Sequence, residues 1–347
     1  MTIGIAYLIL SFWGKAYRSR ILLLLLSIGF SFILLEVLCM LYAHFTKMPD
    51  YTAYLTGNEK NIYHIWPANE MHELKSGEFS YTRKTNSIGY ADKEWALPKK
   101  AGGLRILALG DSFTEGDGAP QDSAYPFLLE KNLLAKHADV EVLNAGTCGS
   151  DPFFNYKNLC DRLLQYKPDI VIQTLSSNDI TEDIAIRGGM ERFKENNTIA
   201  YRASPRQILM YQCSYIIRAL ADVWEGIYEH TGAFENETNS TLRELIGKYG
   251  ELAKANNFKV IWVLIPRGYE AKRDNYLYNF DYLANVISHT PGQSCMDMLS
   301  LYKLQVQQGQ PLTHYYWPND GHHNGKGYEL MAATIAKGIE ADKDIFN

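Results

Sequence analysis

The chain has 347 residues, enough for one large domain plus accessory segments. With 46% hydrophobic and 21% charged residues, it is too apolar for a disordered chain and has no collagen-like or coiled-coil repeat. Lys and Arg number 34 against 39 Asp and Glu, a net charge of -5 that offers no concentrated basic surface for nucleic acid. The five cysteines, Cys39, Cys148, Cys160, Cys213 and Cys295, show neither CxxC nor Cys/His spacing, which leaves a zinc ribbon or thioredoxin-type site without support.

Met1 to Gly14 is apolar but too short to cross a bilayer, and reads as an interfacial segment. Next comes ILLLLLSIGFSFILLEVLCMLY, residues 21–42, whose only charge is Glu36. At about 1.5 Å per residue this run matches the ~30 Å hydrocarbon core. Lys15, Arg18 and Arg20 precede it and Lys47 follows, so the positive-inside rule keeps residues 1–20 in the cytoplasm and sends the rest out. The expectation is a single-pass signal-anchor in the cytoplasmic membrane with a periplasmic or extracellular domain. A cleaved signal peptide fits less well, because the run exceeds the usual apolar core and no small-x-small site follows. Carboxylates at such depth face protein or water, so Glu36 points to a contact inside the membrane.

Residues 47–100 carry weak periodicity and read as a juxtamembrane arm. From about 101 to 347 the pattern is that of one domain. RILALG (105–110), VEVLNAG (140–146), DIVIQTL (169–175) and FKVIWVLIP (258–266) alternate with helical stretches near 125–136, 152–166, 240–255 and 325–341. Strands apolar on both faces and separated by helices predict a parallel sheet covered on two sides. An insertion at about 179–239 contains Leu209, Cys213, Ile216, Leu220, Val223 and Ile227 at helical spacing. Packing on the sheet is the leading reading; a substrate lid or a membrane-facing helix is the alternative.

The chemistry gathers at strand ends. GDS (110–112) closes the first strong strand, NAGTCG (144–149) the second and SSND (176–179) the third, and NDGHHNGKGYELMA (319–332) comes last. Open α/β sheets bind ligands at that carboxyl edge. These blocks, in this order over about 104–342, resemble the SGNH (GDSL) hydrolase family. The resemblance implies a three-layer α/β/α sandwich with flavodoxin-like strand order. It also implies Ser112 as nucleophile and an oxyanion hole from the N–H groups of Ser112 and Gly149 and the amide of Asn178. Asp320 would orient a histidine base. The family's Asp-x-x-His spacing selects His323, whereas the following His-x-Asn and Gly327 select His322, which is favoured; the unused histidine would line the cleft or face solvent. Asp111 reads as a structural hydrogen-bonder of the turn. NSIGYAD (86–92) and the N-terminal anchor resemble membrane-anchored members. Arg267, just after the fourth strand, reads first as a structural ion-pair partner and otherwise as a contact for an anionic or sugar substrate.

A serine hydroxyl becomes a nucleophile only when a base takes its proton, and the tetrahedral intermediate needs fixed donors. The expected function is therefore a membrane-tethered serine esterase acting through an acyl-serine on O-acyl, chiefly O-acetyl, esters of a glycan or envelope molecule. The alternatives are an O-acyltransferase working with a membrane partner such as a membrane-bound O-acyltransferase, and a non-catalytic subunit of an envelope complex. None of these requires a cofactor or metal.

Overall fold

The computed structural model describes residues 15–46, 65–184, 188–193, 199, 205–220, 223 and 232–342. The interfacial reading of Met1–Gly14 lies outside them. In chain order the elements are α1 (Lys15–Thr46), β1 (Met71–Lys75), β2 (Ser80–Lys84), β3 (Leu104–Leu109), α2 (Ser112–Glu115), α3 (Tyr125–Leu134), β4 (Val140–Asn144), α4 (Pro152–Asn158) and β5 (Ile170–Leu175). They continue with α5 (Pro205–Cys213), α6 (Gly232–Asn256), β6 (Lys259–Leu264), α7 (Gly268–Arg273), α8 (Asp281–Ser288), β7 (Gln293–Asp297), α9 (Leu299–Gln307) and α10 (Gly325–Ala341). Two compact units divide the chain: residues 1–57 with 203–231, and residues 58–202 with 232–347.

In the larger unit, five parallel strands run in the order β4-β3-β5-β6-β7, so the sheet reverses direction of growth beside β3. Every residue of β5 is buried, as are Arg105–Leu109 of β3 and Val260–Leu264 of β6, which explains why these strands are apolar on both faces. On one face Ile106, Ala108, Ile172 and Val263 pack with Tyr125 and Leu129 of α3 and Tyr328 and Ile335 of α10. On the other, Trp262 meets Tyr249 of α6 edge to face at 5.1 Å. Each such aliphatic side chain contributes about 1.5 to 3 kcal/mol by leaving water. The three-layer sandwich expected from the sequence is thus present.

Residues 65–95 form an antiparallel hairpin, β1 with β2, and a connecting segment, and both belong to this unit. Asn86 Oδ1 accepts from the N–H groups of Ile88 and Tyr90 and so closes the turn, while Tyr90, 1% exposed, stacks on Trp95 at 4.8 Å. Asp92 accepts from Trp95 Nε1 at 2.7 Å and from the N–H of Asn144 at 2.8 Å, which braces the carboxyl end of β4. Burial raises its pKa to about 6.

The smaller unit contains α1, a 32-residue helix whose apolar side chains, Phe30 and Ile33 among them, stay exposed. Its stretch Ser19–Phe45 is long and apolar enough to cross a membrane. The amphipathic pattern of the insertion does not form one helix. It breaks at Ser214, between α5 and a helical stretch at 215–220, and belongs to the same compact unit as α1. Glu36 accepts hydrogen bonds at that break from Ser214 Oγ at 2.9 Å and from the N–H groups of Tyr215 and Ile216.

Candidate active site

Ser112 opens α2 immediately after β3. Asp111 is the helix N-cap: its carboxylate accepts from the N–H of Phe113 at 2.9 Å, the structural role expected of it. Ser112 therefore stands at the first helical position, where a backbone N–H has no intrahelical acceptor. Gly146, after β4, must be glycine because a Cβ there would come within 2.2 Å of the N–H nitrogen of Glu115. That close approach brings the second block alongside α2.

The last block supplies the other partners. Ser112 Oγ lies 2.8 Å from His322 Nε2, and His322 Nδ1 lies 2.6 Å from Asp320 Oδ1. A carboxylate accepts only, so Nδ1 carries the proton and Nε2 offers its lone pair to the serine hydroxyl. Hydrogen bonding from His322 holds the Asp320 carboxyl below its ordinary range. Gly321 between them has φ of +82°, a left-handed turn that aims two side chains two residues apart at one another.

His323 is elsewhere. It is 0% exposed, its Nε2 is 2.7 Å from the hydroxyl of Tyr302, and the rings of Tyr316 and Phe113 pack on it at 4.5 and 5.2 Å. Burial pushes its pKa down to about 3. The alternative that made His323 the base, and the expectation that the spare histidine lines the cleft or faces solvent, are both corrected here: a bridge between Tyr316 and His323 carries the chain inward before α10 starts. Gly327 permits this, since a Cβ there would meet Tyr315 O at 2.2 Å and His323 at 2.9 Å.

Asn178 follows β5, and its Oδ1 accepts from the hydroxyl of Tyr269 at 3.2 Å, which fixes the amide nitrogen as the end left to donate elsewhere. Gly149 has φ of +70° and sits one residue after Cys148. The charge of Arg267 helps lower the Asp320 carboxyl. The N–H of the next residue, Gly268, donates to Gly321 O at 3.2 Å, tying the end of β6 to the His322 loop.

Two supports have no signature in the four blocks. Glu78, at the tip of the β1–β2 hairpin, accepts from the N–H of Asn319 at 3.0 Å, its side-chain amide at 3.0 Å and the N–H of Asp320 at 2.8 Å. Phe79 lies 5.8 Å from Trp317 on the same loop. Deeper, the carboxylate of Glu115 accepts from Arg83 Nη1 at 2.5 Å, from Trp66 Nε1 at 2.6 Å and from the N–H of Cys148 at 2.5 Å. Arg83 is 1% exposed and also pairs with Asp117 at 2.9 Å. Glu115 thereby links α2 to the loop that carries Gly149. No cluster of His, Cys, Asp and Glu suited to a metal occurs among the described residues.

The architecture is that of an α/β domain with a Ser–His–Asp line at the carboxyl edge of a parallel sheet. The GDSL-like Lipase/Acylhydrolase family model matches residues 106–335, and the chain belongs to that family. An arylesterase of Vibrio mimicus is 35% identical over 75 residues, 22% of this chain and 38% of that protein. The match thus spans well under half the length of that curated relative. Among solved structures, a two-domain esterase active on acetylated mannans, bound to mannopentaose, aligns over 70% of this chain and 50% of its own at 16% identity and TM-score 0.44. The acetyl xylan esterase AlAXEase aligns over 68% and 100% at 15% identity and TM-score 0.42. A lipase/acylhydrolase from Enterococcus faecalis aligns over 69% and 96% at 20% identity and TM-score 0.40.

Proposed function

We propose that this chain is a membrane-tethered serine esterase that cleaves O-acyl, chiefly O-acetyl, esters of a glycan or related envelope molecule outside the cytoplasmic membrane. The observation that carries the reading is the line Ser112 Oγ, His322, Asp320, with contacts of 2.8 and 2.6 Å. As Ser112 Oγ attacks the ester carbonyl, His322 Nε2 takes its proton and Asp320 stabilises the imidazolium that results. The carbonyl oxygen becomes an oxyanion, met by the N–H groups of Ser112 and Gly149 and the amide of Asn178, each such donor worth about 2.7 to 4 kcal/mol. His322 then returns the proton to the departing alcohol, leaving an acyl-serine; water, activated by the same imidazole, releases the acid and restores Ser112.

Family membership and the partial match to an arylesterase support ester cleavage. Tyr269 and Arg267, which follow β6, supply a hydroxyl and a guanidinium suited to a polyhydroxylated alcohol. The tether and the outward topology rest on the apolar length of α1 and the basic residues before it. Transfer of the acyl group to a sugar hydroxyl would use the same residues, but Glu36, the feature that suggested a membrane partner protein, is engaged by Ser214–Ile216 of its own chain.

The test is initial-rate hydrolysis of p-nitrophenyl acetate by the detergent-solubilised chain beside Ser112→Ala and His322→Ala. Turnover that disappears in both variants supports the reading. Equal rates in wild type and Ser112→Ala would sink it.

A further inference from the structure

Glu36 is the single charge within residues 21–42, and its carboxylate serves a helix break. It accepts from Ser214 Oγ at 2.9 Å, from the N–H of Ile216 at 3.2 Å and from the N–H of Tyr215. These are the donors that the stretch 215–220 cannot satisfy internally, because the first N–H groups of a helix have no carbonyl behind them. The other side of the break is closed as well. Arg218 Nε donates to Tyr211 O at 2.9 Å and its Nη2 to Gln212 O at 3.2 Å, the last carbonyls of α5. The guanidinium also lies over the rings of Tyr211 and Tyr215, at 5.3 and 4.7 Å. An anion on one helix's amino end and a cation on the other's carboxyl end leave the interrupted backbone provided for from within the unit.

In water such provision is unnecessary, since solvent satisfies a break. In hydrocarbon each unsatisfied group costs several kcal/mol, and non-helical backbone survives only where protein covers its polar atoms. The flanking side chains agree with a lipid setting: Leu209, Met210, Leu220 and Val223 are exposed by 59%, 54%, 63% and 59%. So are the apolar side chains of α1 beside them in the same unit.

We propose that residues 205–220 form a second membrane element, a broken helix latched to α1 by Glu36, with lipid acyl chains as the partner of its exposed apolar side chains. This rests on α1 being a membrane span with the enzyme domain outside. Glu36 precedes Phe45, the end of the apolar stretch, by nine residues, about 14 Å of helix. The nine residues of α5 give about the same length, so α5 is long enough to reach the level of Glu36 from the outer interface.

The experiment uses the full chain in intact cells, with its five cysteines changed to serine and single cysteines placed by Leu209→Cys, Leu220→Cys and, on the enzyme domain, Lys131→Cys. A membrane-impermeant maleimide is expected to label Lys131→Cys readily. Leu209→Cys and Leu220→Cys should react about tenfold more slowly until detergent is added, and brominated lipid chains should quench a bimane attached at position 220. Adding Glu36→Leu should speed labelling at 220; if that variant does not accumulate, Arg218→Met opens the same break from its other side. Labelling of 209 and 220 at the Lys131→Cys rate would overturn the inference, as would slow labelling without quenching, which would mean that protein covers the face. If Lys131→Cys itself stays unlabelled, the outward topology fails and the inference falls with it.

Discussion

His322 and His323 are joined by one peptide bond and belong to two different regions. His322 sits on a loop held by the carboxylate of Glu78 and by the Gly268 N–H on Gly321. His323 sits in an aromatic seat formed by Tyr302, Tyr316 and Tyr328. The loop leaves the His322 imidazole partly exposed and oriented between Ser112 and Asp320. The seat keeps one neutral as a filler. Two identical side chains thus have different environments, and the difference comes from which side of a buried turn the ring falls on.

The comparison breaks most visibly at His322. Replacing it by Ala should lower Ser112-dependent turnover by about a thousandfold or more while the melting temperature stays near wild type, as read from paired rate and calorimetric measurements. His323→Ala should do the reverse. Emptying a packed aromatic seat costs about 3 to 5 kcal/mol in urea denaturation, with turnover per folded molecule within a few-fold of wild type. An equal loss of turnover in both would erase the distinction.

Acid sharpens it. His323 has a folded pKa near 3 against an ordinary value near 6.5, so the fold favours its neutral form. That contribution is complete above pH 6.5 and is lost as pH falls from 6.5 towards 3, because the unfolded chain takes up a proton that the native seat refuses. Stability should fall by roughly 1 kcal/mol per pH unit through this window. In His323→Phe this part of the slope should vanish, and denaturation midpoints at pH 7, 6, 5 and 4 compare the two. The smallest effect should come from Glu78→Ala, which loosens the loop without emptying any core. Turnover is expected to drop about tenfold, with a stability change under about 1 kcal/mol. A drop in stability without one in turnover would assign Glu78 to the fold alone.

Much of this arrangement is legible along the chain because it is local. The runs at 105–110, 140–146, 169–175 and 258–266 announce β3 to β6, being apolar on both faces, and each block follows its strand directly. What escapes reading is either polar or distant. β7 (QSCMD) is an edge strand with one neighbour and only partial burial, so it lacks the apolar run that marks the others. The hairpin β1–β2 buries alternate side chains against the domain, but Arg83 and Tyr81 do not read as core residues. The pairing of Arg83 with Glu115 joins positions 32 residues apart, and no spacing rule connects them. The break at Ser214 is masked by its helical periodicity, because its cause is a carboxylate 178 residues upstream. The buried seat of His323 likewise depends on Tyr302, which lies in α9 and in no block.

The hairpin's position has a consequence for anyone cutting or grafting this domain. Recognisable family sequence begins at Ile106, yet Trp66, Glu78, Arg83 and Asp92 all lie ahead of it. A boundary drawn at the first strong strand would strip Glu115 of its cation and leave a buried carboxyl without the partners that hold it. It would also free the loops around Gly149 and Asp320 at once. The transplantable module is therefore longer than the family's own outline, and begins before Trp66.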